Sequence, residues 1–145
     1  LPRTYKPVPK LSASDARKVV VAPDARTAEG ARDRALMLVM ARASLSAAEA
    51  VSLRADAATE LPSDVREAVE AYLRLDRARR ETLKTAGPRA WLFQPVVNYR
   101  TLEFDRPLSR RSAEMIVKHW GEFAGLGRVT PKMLRGALEG APAES

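Results

Sequence analysis

Six consecutive positions, Ala35, Leu36, Met37, Leu38, Val39 and Met40, are apolar. No polar face interrupts the run, so a helix here is predicted to be buried on every side and central to its domain. Arg32, Arg34 and Arg42 flank it closely, and it is far too short to span a membrane. Beyond it, Leu45, Glu49 and Leu53 recur at four-residue spacing among alanines, which predicts a second, Ala-rich helix against the first. Arg32–Asp56 is therefore the expected hub of the chain.

Around that hub the pattern predicts a series of capped helices. Leu1–Leu11 holds three prolines and three basic residues and reads as an extended arm, followed by a single domain over 12–145. Ser12 is placed to cap a short helix, with Asp15 as an abbreviated capping box, Val19, Val20 and Val21 as its apolar end and Pro23-Asp24 as its stop. Ser63 is expected to cap the longest helix, Asp64–Lys84, with Val65, Val69, Tyr72 and Leu73 as its apolar stripe and Gly87-Pro88 as its end. Its other face mixes Arg66, Arg74, Arg77, Arg79 and Arg80 with Glu67, Glu70, Asp76 and Glu81, the pattern of a solvated surface. A short apolar run, Ala90–Phe93, precedes a polar loop in which Val96-Val97 and Tyr99 could pair with Thr101–Phe104 as a hairpin. From Pro107-Leu108-Ser109 to Ala124 a further helix is predicted, with Ile116, Trp120 and Phe123 as its core stripe. Thr130 and Pro131 open the last helix as N-cap and first-turn proline. The sum is a mainly α domain of about six helices.

Composition narrows the chemistry. At 145 residues one domain with a substantial core is expected. No apolar run approaches a membrane span, so a cytoplasmic protein without membrane contact is expected. The first residue is Leu rather than Met, which predicts a piece of a longer protein. Zero cysteines exclude disulfides and thiolate zinc sites, and His119 lacks partner ligands and reads as structural. GxSxG, Gly-rich phosphate loops and convergent carboxylate pairs are also lacking, so no cofactor and no small-molecule substrate are expected. The net charge of +7 and pI near 10.2 favour a polyanion, nucleic acid ahead of membrane. Solubility alone, or codon bias toward Arg and Ala, accounts for the same balance.

Specific boxes bear on that choice by resemblance. Arg32-Asp33-Arg34-Ala35-Leu36, the apolar helix, Ser44-Leu45-Ser46-Ala47-Ala48-Glu49, Leu53 and Asp56 follow the frame R-D-x-A-L, helix, G-L-R-x-S-E, L-x-x-x-D. That frame resembles the first signature box of the tyrosine recombinases (the phage-integrase family) in their catalytic domain. In order after it, Leu61-Pro62-Ser63-Asp64-Val65 is similar to the family's P-L-P-x-x-V, and Pro107-Leu108-Ser109-Arg110-Arg111 to its P-L-S-x-R. Arg128–Gly136 is similar to its second signature, x-T-P-H-x-L-R-H-x. The resemblance extends from Ser12 to Arg135 and implies a remnant of the recombinase catalytic domain. Its small β-sheet is expected to be reduced or absent, since Asp56 leads almost directly to Leu61 with no strand alternation and no lysine before Lys84.

The same resemblance implies lost chemistry. The family cleaves DNA by tyrosine attack on a phosphodiester, with two arginines, a lysine and histidines or a tryptophan stabilising the charged transition state. Ser46 stands where the first arginine belongs, and the lysine-bearing hairpin is missing. Arg135 occupies the second arginine's place, Lys132 and Gly136 replace two histidines, and Ser145 precedes the box with the nucleophile. Tyr5, Tyr72 and Tyr99 are out of order to substitute. A non-enzyme is expected.

What the resemblance retains is DNA contact. Its arm runs along the DNA backbone, which nominates Arg3, Lys6 and Lys10. Its P-L-S helix enters a major groove, which nominates Arg110 and Arg111, and free amides at a helix start favour phosphate there as well. The second signature nominates Arg128, Lys132 and Arg135. The expectation is a catalytically inactive, nucleoid-associated module that binds double-stranded DNA in regulation, architecture or recruitment, with another DNA-bound protein as a further partner. A protein-interaction module reusing the same scaffold is one alternative, and a fragment of a working recombinase is another.

Overall fold

Leu36, Met37, Val39 and Met40 lose all solvent exposure along α2 (Ala28–Ala43), which runs through the core as the unbroken apolar run requires. The computed structural model describes residues 9–85, 87–96 and 105–142, so Arg3, Lys6 and the hairpin expected around Val96–Phe104 lie outside or largely outside the described residues. In chain order the other elements are α1 (Ala13–Val21), α3 (Ala47–Val51), a 3-10 turn (Ala55–Glu60), α4 (Ser63–Thr82), α5 (Arg110–Phe123) and α6 (Pro131–Leu134). The fold is mainly helical. Among the described residues there is no strand, and none of the helices is long and apolar enough to cross a membrane.

The packing of α2 is most extensive against α4, with α1, α3, α5 and α6 around its remaining sides. Its first turn approaches the preceding loop so closely that a Cβ on Gly30 would lie 1.8 Å from the Asp24 carbonyl oxygen. Ser12 caps α1 as expected, accepting from the Asp15 amide at 3.1 Å. The segment after α6 is strapped across the end of α2 by the Gly136 amide on the Met40 carbonyl (3.0 Å) and the Leu138 amide on that of Ala41 (2.9 Å). Leu134 and Leu138 are buried beneath that strap.

Five sequence expectations are corrected. The Ala-rich helix does not run from Leu45 to Leu53: Ser44 turns left-handed (φ 59°) and α3 spans only Ala47–Val51. Beyond it, the Leu53 carbonyl accepts from Leu92 (3.0 Å) and the Ala55 amide donates to Ala90 (2.9 Å), around an isolated antiparallel bridge between Arg54 and Trp91. That pairing draws the chain out of the helix and buries Leu92 and Phe93.

The next three corrections concern α4. Ser63 lies inside the helix and makes no capping bond; Pro62 is the N-cap, while Asp64 reaches Arg42 Nε at 2.8 Å. The helix also ends before Gly87, because Lys84 adopts φ 59° while its amide and that of Thr85 return to the Glu81 and Arg80 carbonyls. That is a Schellman closure with lysine in the left-handed position. Nor is the charged face wholly solvated. Asp76 is fully buried and Arg80 is 6% exposed, continuing the stripe of Val65, Val69 and Tyr72.

The fifth correction rotates α5 by one residue. It buries Ala113, Val117 and Gly121, leaving Ile116 and Trp120 half-buried and Phe123 68% exposed. Small residues lie at this contact because the neighbour comes close: a Cβ on Gly121 would stand 2.5 Å from Val129 Cγ2. The bulky side chains straddle the contact instead, and Trp120 Nε1 donates to buried Asp33 Oδ2 at 2.9 Å. His119 is exposed and packs edge-on against Trp120.

Candidate nucleic-acid interface

Three helix starts converge on one groove of about 500 Å³. Helix α5 supplies Arg110 and Arg111 from its first turn, then Glu114 and Lys118 further along the same face. From α6 and its approach come Arg128, Lys132 and Arg135; Ser46, Ala47 and Ala48 at the start of α3 close the third side. Each start is shaped by its own cap. Ser109 Oγ accepts from Ser112 at 3.0 Å, Thr130 Oγ1 from Met133 at 3.4 Å, and Ser46 Oγ from Glu49 at 3.1 Å.

Five residues nominated from sequence, Arg110, Arg111, Arg128, Lys132 and Arg135, thus line a single concavity. Lys10 does not line it. Its Nζ lies 3.1 Å from where a Cβ on Gly136 would be, and the Leu11 amide ties the arm to the Met133 carbonyl. Lys118 was not nominated, though its position seven residues after Arg111 places it on the same helix face.

The groove is strongly unbalanced in charge: six cations line it against one carboxylate, Glu114. Glu114 is paired with Arg110 at 3.1 Å, both exposed. Arg111, Lys118, Arg128 and Lys132 make no ion pair among the described residues. Their exposed, uncompensated charge is suited to a polyanion laid across the rim.

Arg135 and Ser46 are each otherwise engaged. Arg135 Nε donates to the Ser44 carbonyl (2.8 Å) and Nη2 to Glu49 Oε1 (3.2 Å), while Glu49 also accepts from the Ser46 amide at 2.9 Å. That backbone bond first, then the Ser46 hydroxyl and the nearby Arg135 charge, hold the Glu49 carboxyl below its ordinary value. Position 46 therefore caps the start of α3 and presents no cation to the groove.

Two buried polar clusters behind this surface were not read from sequence. Arg32 donates to Asp33 Oδ1 through Nε and Nη2 (3.0 and 2.9 Å), joining α2 to Trp120 of α5. Asp76 Oδ2 accepts from both Arg80 (2.7 Å) and Arg89 (2.6 Å), with Gln94 on the far side of Arg80. A signal for the second existed, since Asp76 and Arg80 extend the spacing of the α4 core stripe. Among the described residues no group of three or more His, Cys, Asp or Glu side chains is arranged to hold a metal ion.

Compared with family models, with curated proteins and with solved structures, the chain finds no match.

Proposed function

We propose that this chain is a catalytically inactive relative of the tyrosine recombinases that binds double-stranded DNA through the groove between α3, α5 and α6. The observation that carries the reading is convergence: cations from two separate stretches of sequence, α5 and the α6 segment, line one concavity, opposed by a single carboxylate. Physics supports the partner, because a duplex presents closely spaced phosphates that exposed Lys and Arg neutralise with release of counterions. Engagement of Ser46 as an N-cap and of Arg135 by Glu49 supports loss of phosphoryl-transfer chemistry. A regulatory, architectural or recruiting role at the nucleoid follows from binding without cleavage.

Titration of duplex DNA across a range of salt concentrations tests the proposal. With six phosphates neutralised, log affinity should fall against log salt with a slope of roughly −5, and Arg110→Ala/Arg111→Ala/Arg135→Ala should make it shallower by about three. Arg111→Ala alone should cost about 1–3 kcal/mol and relax sequence preference if that side chain reads a base edge. Unchanged affinity in the triple variant would overturn the assignment and favour a protein partner for this face.

A further inference from the structure

On the outer flank of α4 lies a second hollow, of about 440 Å³, that shares no lining residue with the groove. Arg74, Arg77, Arg80 and Arg89 wall it, with Glu70 as the one carboxylate of its lining. We propose that it is a phosphate-binding site.

Arg80 and Arg89 both donate to one oxygen, Asp76 Oδ2, and their side chains are 7% and 18% exposed. Two guanidiniums therefore share one buried negative charge. An excess positive charge held away from water is costly unless a counter-anion meets it. Asp105, a carboxylate of the neighbouring loop, is committed elsewhere, accepting the Ala90 and Trp91 amides at 2.6 and 3.2 Å. Arg89 Nε, moreover, is buried and has no hydrogen-bond partner among the described residues.

Both forks are already positioned. Arg80 is held by Gln94 Oε1 at 2.9 Å, and Arg89 by the Leu92 carbonyl at 2.7 Å and the Tyr72 ring at 5.2 Å. Binding an anion there requires little new ordering, so less of the interaction is offset by lost side-chain freedom. Arg74 and Arg77 stand at the mouth, exposed and without an ion pair among the described residues. Across the whole cluster four guanidiniums face two carboxylates, Asp76 and Glu70, leaving two positive charges. A phosphate dianion matches that balance, and its tetrahedral oxygens accept from several guanidinium forks at once.

The test is a titration of the full chain with inorganic phosphate at ionic strength held constant by chloride, followed through the arginine Nε–H signals in NMR spectra. Saturable shifts of the Arg77, Arg80 and Arg89 signals are expected, with affinity falling about tenfold or more in Arg74→Ala/Arg77→Ala. Both replaced side chains are exposed, so that variant should keep its fold, which circular dichroism checks. Duplex DNA added to the Arg110→Ala/Arg111→Ala/Arg135→Ala variant separates the sources. Movement of the same signals assigns the hollow to a backbone phosphate, and movement with inorganic phosphate alone assigns it to a free phosphate or phosphorylated small molecule. Shifts that never saturate, or equal affinity in the Arg74/Arg77 variant, would overturn the proposal whether or not the groove binds DNA.

Discussion

Asp76 shows how much one side chain can control. Its Oδ2 accepts from Arg80 and Arg89, and its side chain is 1% exposed. Removing it would leave two guanidiniums facing Tyr72, Leu92 and Gln94 with no negative charge between them. Asp76→Ala should therefore destabilise the protein by about 3–5 kcal/mol, the usual cost of breaking a buried pair from one side. Urea unfolding monitored by circular dichroism measures it, and a loss below about 1 kcal/mol would mean that water reaches both arginines. The exposed Arg110–Glu114 pair is the contrasting case, where solvent and side-chain entropy offset most of the attraction. Nothing in the spacing of these pairs alone separates them, because both are acid and base four residues apart. The neighbours decide: Asp76 and Arg80 continue a core stripe, whereas Arg110 and Glu114 lie exposed on the groove side of α5.

At the scale of elements, local chemistry sets where helices start. Helix α3 has only five residues, too few to persist alone, and is held by its capping box and by packing. Ser46→Ala should lower stability by about 0.5–2 kcal/mol, the range for losing such a cap. A pH signature accompanies it. Glu49 has a folded value below its ordinary 4.5, so its charge contributes stability that is complete above that value and lost as pH falls through the lower folded one. Glu49→Gln keeps the hydrogen-bond acceptor while removing the charge. The variant should therefore unfold at lower temperature than the unaltered chain at pH 7, with the gap closing in acid. An equal gap at both pH values would show that the charge plays no part.

Across the whole molecule, the groove exists only because three helix starts far apart in sequence meet around α2. Its position 46 is a cap and its Arg135 is tied to Glu49, and the proposed reading takes both as loss of the cations that cleavage would need. Incubated with a nicked suicide DNA substrate, this chain is expected to give no covalent protein–DNA adduct on a denaturing gel. Ser46→Arg should not create one, because restoring a single donor leaves the others missing. A band shifted by covalently attached DNA would refute inactivity.

What the sequence determined by itself is local. The apolar run from Ala35 to Met40 could only be buried, Ser12 and Thr130 could be read as caps, and Pro131 fitted a first turn, because each depends on neighbours within a few residues. The mainly helical class follows from those same periodicities. Tertiary structure decided everything that required an approach from elsewhere. Leu92 took the Leu53 carbonyl and shortened the Ala-rich helix; close packing of Gly121 on Val129 turned α5 and left Phe123 outside. Gln94, remote in sequence, supplied the acceptor that helps make burial of Arg80 tolerable. Convergence of Arg110, Arg128, Lys132 and Arg135 on one groove likewise belongs to the packing of α5 and α6 on α2, since charge along a chain carries no direction until helices are fixed against one another.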